Sequence, residues 1–342
     1  MILVSGYYGF ANLGDEAILQ ALCADLTALG VKRQEILVLS NDPRRTETEH
    51  RVRAVYRYDL PKIWSALASA RLLVSGGGSL LQDVTSKRSI PYYVGLVELA
   101  LLLRVPVVMY AQGLGPVQNR FLRAWVRRAF LHSKACTVRD QESLEFLSKL
   151  GVPREKVVLA ADPVFQQEVI ENVPNSKRLL LNIRPYESWE QQQSIWLKHL
   201  ALWQEQGYEV EFIPLGPGDS HIGKFLQSHV SSLLVHPDLE LASYSQVLNG
   251  AKLCISMRLH GLILSALSDC LPIGLNYDPK VAAISSQLQI PCWEMVNVDS
   301  LGRGIGQVLQ NEKQLKLDYH KALRILRQRS LTNRQVLAEV LR

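Results

Sequence analysis

Short apolar runs rich in branched residues alternate along this chain with longer segments whose apolar positions recur every three or four residues. The first runs are MILVSG (1–6), EILVLSND (35–42), RLLVSGGG (71–78), VPVVMYAQG (105–113), ACTVRD (135–140) and KVVLAADP (156–163). Between them lie amphipathic stretches such as DEAILQALCADLTALG (15–30) and FLRAWVRRAFLHS (121–133). Unbroken apolar strands joined by helices predict a mainly parallel α/β sheet with both faces covered. The longest apolar stretch, residues 92–113, is interrupted by Glu98 and Arg104 and broken at Pro106. A membrane span needs about 20 residues with few or no charges. This stretch therefore predicts a buried helix, then a strand beginning near Pro106.

The alternation pauses at QQEVIENVPNSKR (166–178), a polar segment with a proline that reads as a linker. A second series follows: RLLLNIRP (178–185), YEVEFIPLGPGD (208–219), SLLVHP (232–237), AKLCISMRLHG (251–261) and LPIGLNYDP (271–279). The pattern predicts two tandem α/β domains, residues 1–168 and 176–312. The tail, 313–342, is helical and basic and is expected to pack back on the first domain. In open α/β sheets ligands bind beyond the carboxyl ends of the strands. That rule selects Tyr7 to Glu16, Gly76 to Arg88, Gln112 to Pro116, Arg139, Asp162, Arg184, Arg258, His260 and Lys280.

Composition narrows the chemistry. The chain has 342 residues, enough for about two domains at ~150 residues each. A formal charge of +6 suits an anionic ligand, and no Lys/Arg block interleaved with aromatics points to nucleic acid. The five cysteines are odd in number, widely spaced and lack a C-x-x-C, which fits reduced thiols in cytoplasm better than a disulfide framework. The first ten residues lack a basic n-region and a small-residue cleavage site, so they read as a strand and not a signal peptide.

Each candidate motif has a bland reading beside a functional one. SGYYGFANLGDEAIL (5–19) is a strand, a glycine turn and a helix opened by Asp15 and Glu16. It matches neither the dinucleotide nor the P-loop fingerprint. Helix capping accounts for acids in a first turn; the functional alternative is a general base. SGGGSLLQDVTSKRS (75–89) sets Gly76, Gly77 and Gly78 after a strand, where backbone can approach a ligand closely. Ser79, Gln82, Asp83, Thr85, Ser86 and Arg88 then offer hydrogen bonds, unless this is simply a long surface loop. Gln112 stands at another glycine turn, AQGLGP, and can read a polar ligand or merely precede a helix. Arg139 at a strand end is by default a surface ion pair. In SMRLHG (256–261), Arg258 can hold a carboxylate or phosphate and His260 can act as an acid near neutral pH. A packed histidine and an outward-reaching arginine are the alternative. Lys280 of NYDPKV can reach the same anion or sit in solvent. Metal-ligand spacings such as H-E-x-x-H are absent, as is G-x-S-x-G, so neither a metal site nor a serine hydrolase is indicated.

Taken in order, GYYGFANLGDEAIL, GGGSLLQDVTS, QGLGP, TVRD, ADP, SMRLHGLI and YDPKV resemble the polysaccharide pyruvyl transferase family, in particular its bacterial cell-surface-polymer branch. Together they span about residues 5–282. The resemblance implies two Rossmann-like domains facing across a cleft, the glycosyltransferase B-type arrangement. It implies phosphoenolpyruvate as co-substrate, no cofactor, and a sugar acceptor, in similar enzymes an N-acetylmannosamine-type residue of a lipid-linked cell-wall precursor. The implied product is a cyclic pyruvate ketal, with phosphate released. It carries anion binding to Arg139, Arg258 and Lys280, proton donation to His260, and general-base chemistry to Asp15 or Glu16. The expected location is the cytoplasm, with peripheral contact at the inner membrane face left open. Two alternatives stand beside this reading. One is a nucleotide-sugar glycosyltransferase of the same architecture. The other is a non-enzymatic membrane-surface binder using Arg120, Arg123, Arg127 and Arg128 near Trp125 and the basic tail.

Overall fold

The computed structural model describes residues 1–83, 88–168 and 177–342. Thr85 and Ser86 of the glycine-rich loop lie outside the described residues, as does most of the expected linker. The chain divides into two compact units. The first comprises Met1–Phe10, Asp15–Gln166 and Leu326–Arg342; the second comprises Ala11–Gly14 and Gln167–Ile325.

The first unit contains β1 (Ile2–Tyr8), β2 (Ile36–Ser40), β3 (Arg53–Tyr56), β4 (Leu72–Ser75), β5 (Gly78–Leu81), β6 (Val107–Leu114), β7 (Ala135–Val138) and β8 (Val158–Leu159). The strands run parallel in the order β3-β2-β1-β4-β6-β7-β8, with β5 also pairing β6. Ile2, Leu3 and Val4 of β1 and Leu72, Leu73 and Val74 of β4 are buried. Both faces of these central strands are covered, which is why their sequences are unbroken apolar runs. The order reverses between β1 and β4, so the loops after those strands border the crevice where ligands of such sheets bind.

The second unit contains β9 (Arg178–Asn182), β10 (Glu209–Phe212), β11 (Leu234–Val235), β12 (Leu253–Ser256), β13 (Leu271–Asn276) and β14 (Cys292–Glu294). It is again parallel, in the order β11-β10-β9-β12-β13-β14, and its reversal falls between β9 and β12. The helix after β12, Leu259–Leu267, is buried nearly all round, which explains the apolar run that follows Arg258 and His260.

One long helix, Glu312–Leu341, ends the chain. In the second unit, Asp269 accepts hydrogen bonds from Lys316, Tyr319 and His320 at 3.1, 2.7 and 2.8 Å. In the first unit, Leu337 joins the core beside Ile2, Val4 and Tyr110. There the fully buried Asp25 accepts from Tyr110 Oη and Arg334 Nε, both at 2.7 Å. Asn333 donates to the Ala161 carbonyl at 2.9 Å.

Candidate active site

In the second unit the chain leaves β12 through Met257 and Arg258. Arg258 is the extended N-cap of the following helix, and its backbone N–H donates to Ser256 Oγ at 3.0 Å. Its guanidinium turns to the loop after β10. Nε and Nη2 donate to the two carboxylate oxygens of Asp219 at 2.7 and 2.6 Å. Asp219 is fully buried and also accepts from Asn182 Nδ2 at 2.9 Å and Leu215 N–H at 3.0 Å. A buried ion pair is tolerable when its remaining lone pairs are occupied in this way. The arrangement needs Gly216, since a Cβ there would lie 2.6 Å from Arg258 Cζ. Asp219 was not among the residues selected from sequence; its signal is the Gly-Pro-Gly-Asp turn directly after a strand.

His260 sits in the first turn of the same helix, half-buried. Its ring lies over Gly14, where a Cβ would collide with Nδ1 and Cγ. Gly14 belongs to the Ala11–Gly14 segment of this unit, held by a hydrogen bond from Leu13 N–H to the Leu215 carbonyl at 3.0 Å. The glycine of the NLGDE motif and the histidine of the RLH motif are therefore direct neighbours. At the end of β9, Arg184 donates to Tyr277 Oη at 2.6 Å, with its guanidinium 4.8 Å from that ring's centre. Lys280 opens the helix after β13, with Nζ 3.3 Å from the carboxylate of the capping Asp278. Arg258, His260 and Lys280 thus follow the adjacent strands β12 and β13.

In the first unit the acidic pair divides its work. Glu16 is buried, and both its oxygens are taken: Oε1 accepts from Gly9 N–H at 2.9 Å and Oε2 meets His50 Nε2 at 3.0 Å. Glu49 lies near both, and Arg45 holds Glu49 at 2.5 Å. Glu16 is thus a structural anchor for the glycine turn. Asp15 is half-buried and lies over Gly78, whose φ of +106° and whose clearance of 3.0 Å from a Cβ to Asp15 Oδ1 both call for glycine. The other glycines of the trio face protein. A Cβ at Gly76 would collide with the Tyr8 hydroxyl, and one at Gly77 would lie 3.0 Å from the Ala111 carbonyl. Burial pushes the Tyr8 phenol well above its ordinary range, and the nearby Asp15 charge adds to the effect.

The remaining candidates of this unit have partners within it. Gln112 is fully buried, and its Nε2 donates to the carbonyls of Ser75 and Gly76 at 2.9 and 2.5 Å. Arg139 is buried; it donates to Asp162 at 2.9 Å and to Ser79 Oγ at 3.0 Å. The expectation of a surface ion pair at Arg139 does not hold, because its partner Asp162 is itself 2% exposed. Asp83 accepts from Gln118 and Asn119 N–H groups at 2.9 Å, and Gln82 packs against Gly115.

A family model described as polysaccharide pyruvyl transferase matches residues 12–279, from the turn before Gly14 through Pro279. The chain belongs to the polysaccharide pyruvyl transferase family. Similar to this family member in sequence is the amylovoran biosynthesis protein AmsJ of Erwinia amylovora, 23% identical over 71% of this chain. The match spans 66% of that relative's length. Both point to polysaccharide biosynthesis. Three solved structures share the fold of this family member. Anabaena Alr3699/HepE in complex with UDP is 13% identical, with a TM-score of 0.65 over 99% of each chain. UDP-GlcNAc 2-epimerase from Neisseria meningitidis, bound to UDP-GlcNAc, is 12% identical, with a TM-score of 0.66 over 100% of this chain and 99% of that one. Sucrose-phosphate synthase from Thermosynechococcus elongatus is 10% identical, with a TM-score of 0.65 over 99% of this chain and 98% of that one. They confirm a fold of two Rossmann-like α/β domains. Among the described residues no helix is long and apolar enough to cross a membrane.

Proposed function

We propose that this chain transfers the pyruvyl group of phosphoenolpyruvate to two hydroxyls of a sugar in a polysaccharide precursor, forming a cyclic ketal and releasing phosphate. The observation that carries the reading is the contact between Gly14 and His260, which joins two of the motifs that carry the family resemblance at one place. The site chemistry follows from the residues. His260 protonates the methylene carbon, and C2 becomes electrophilic. One sugar hydroxyl attacks C2, giving its proton to Asp15; Glu16 is the weaker choice because both its oxygens are engaged. The bond from C2 to the phosphate oxygen breaks, and the second hydroxyl closes the ketal while its proton leaves with phosphate. Lys280, Arg184 and Arg258 supply positive charge at the strand ends of the second unit, where the phosphate and carboxylate need orientation and charge stabilisation. Arg139, held by Asp162, positions the glycine-rich loop through Ser79. The scheme needs no metal or organic cofactor, and a cytoplasmic enzyme meeting a lipid-linked acceptor at the membrane surface would suit it.

The test is phosphate release from phosphoenolpyruvate with and without a lipid-linked N-acetylmannosamine disaccharide and a panel of other saccharides, followed by mass spectrometry of the acceptor. Acceptor-dependent phosphate with the mass gain of a pyruvate ketal is the expected result. Silence across the panel overturns the reading. It would favour the alternative drawn from the UDP complexes of HepE and the epimerase, a nucleotide-sugar glycosyltransferase, for which binding of UDP-sugars is the next measurement.

A further inference from the structure

Beyond β9 the second unit carries a pocket that the pyruvyl-transfer scheme does not use. It has a volume of about 300 Å³ and is lined by Tyr186, Glu187, Trp189, Glu190, His221 and Ile222. Its aromatic wall is fixed in place. The Trp189 indole meets Tyr186 edge-on at 6.1 Å and Phe225 at 5.6 Å. The Tyr186 hydroxyl is occupied, donating to Gln192 Oε1 and accepting from Trp196 Nε1, each at 2.8 Å. The tyrosine ring, not its hydroxyl, is thus what remains for a ligand.

The pocket's polar side chains include two carboxylates, Glu187 and Glu190, and the imidazole of His221. Glu187 and Glu190 are exposed, and neither side chain has a hydrogen bond or ion pair among the described residues. The lining contains no lysine or arginine. With no lysine or arginine in the lining beside them, the two carboxylates disfavour phosphate, so the pocket is unsuited to phosphoenolpyruvate or a nucleoside diphosphate. They accept hydrogen bonds strongly from hydroxyl groups. Aromatic faces beside them pack against apolar C–H surfaces. A ligand with one C–H face and a rim of hydroxyls has both properties. The volume is at the lower end for small-molecule pockets, which run from about 300 Å³ upward.

We propose that this pocket binds a neutral saccharide unit, a subsite for the sugar chain whose lining includes neither Arg258 nor His260. The choice of saccharide rests on the polysaccharide reading above; the binding itself does not depend on phosphoenolpyruvate.

Calorimetry on the full chain, with no phosphoenolpyruvate present, tests it. The probes are N-acetylmannosamine-β-1,4-N-acetylglucosamine methyl glycoside, methyl glucoside and methyl galactoside, with UDP as the anionic control. The expected result is that at least one saccharide binds, that Trp189→Ala weakens it about tenfold, and that Glu187→Gln with Glu190→Gln weakens it by a similar factor. The two glutamine changes touch exposed, unpaired carboxylates, so they leave folding intact even where loss of Trp189 does not. No saccharide binding by the wild type overturns the proposal, as does binding that the glutamine variant retains in full. UDP binding lost on Trp189→Ala also overturns it, by showing an anion site. Saccharide binding through the pocket without phosphate release from phosphoenolpyruvate would instead sink the pyruvyl-transfer reading alone.

Discussion

Arg258 grips Asp219 with two prongs, although 39 residues separate them. The aspartate is out of reach of solvent, and among the described residues its charge is met by the guanidinium and the two N–H donors around it. Asp219→Asn keeps the shape and removes the charge. Taking one partner from a buried pair costs about 3–5 kcal/mol. Urea unfolding of Asp219→Asn should show a loss of that order. Arg258→Lys should lose most of it too, because an ammonium cannot span both oxygens. A loss below about 1 kcal/mol in both variants would mean the pair is not holding the loop.

The acidic pair should separate into chemistry and architecture. Asp15→Asn is expected to abolish acceptor-dependent phosphate release while leaving the unfolding midpoint near that of the wild type. Glu16→Ala strips Gly9 and His50 of their buried acceptor and should cost roughly 2–5 kcal/mol. His260→Ala should lower kcat by about 100-fold or more, the usual scale for a lost general acid. Full turnover by His260→Ala would remove the histidine from the mechanism.

Tyr8 and Gly76 make a packing test. The Tyr8 hydroxyl is buried with no hydrogen-bond partner among the described residues, and a side chain at Gly76 would strike it. Tyr8→Phe should therefore be neutral or stabilising by up to about 1–3 kcal/mol, the cost of an unpaired buried hydroxyl. Gly76→Ala should destabilise by about 1–3 kcal/mol through overpacking. Combining the two should recover part of that loss, since the atom struck has been removed. Strict additivity in thermal melts would contradict this contact.

Glu211 predicts a pH dependence. Burial pushes its carboxyl up, but hydrogen bonds from His236 at 2.7 Å and Arg178 at 2.6 and 2.9 Å outweigh that and hold it at about 2, against an ordinary 4.5. A carboxyl lowered by folding stabilises the native state fully above its unfolded value and loses that contribution as pH falls toward the folded value. The stability gap between wild type and Glu211→Gln should be widest above about pH 5 and shrink toward pH 2. A gap that stays constant in urea titrations over that range would refute the assignment.

Thiol chemistry offers a simple check of the second unit. Cys23, Cys136, Cys254 and Cys270 are buried, and burial lifts the first three to about 12; Cys292 alone is exposed. Burial, with the nearby Glu294 charge adding to it, raises the Cys292 thiol too, so under native conditions one thiol should react with an aromatic disulfide reagent more slowly than a free cysteine but ahead of the other four, and Cys292→Ser should remove it.

Much of the fold was legible because buried parallel strands write themselves as unbroken apolar runs, and every such run became a strand. The strands that were missed show the limit. In β3, Arg53 and Tyr56 are exposed at a sheet edge; β14 has three residues, also at an edge; β5 opens on Gly78 inside a loop-like composition. None carries the pattern that double-sided burial imposes. The candidate residues could be placed at strand ends because the parallel α/β rule needs only the order of elements. Their partners could not. Glu16 with His50, Arg258 with Asp219 and Gly14 with His260 are set by packing between distant segments, and nothing local in the chain marks one member with the other's position.

The last helix has a consequence for how the molecule comes into being. Leu337, Asn333 and Arg334 complete the core around β1 and Asp25, yet they come from the helix Glu312–Leu341, far from β1 along the chain. A strand made early thus waits for a helix made long after it. Until that helix emerges, the nascent chain holds an aspartate and an apolar face that await their cover. A truncation that removes the final turns should therefore be felt most by amides near the amino terminus, in faster hydrogen exchange on β1, far away in sequence from the cut.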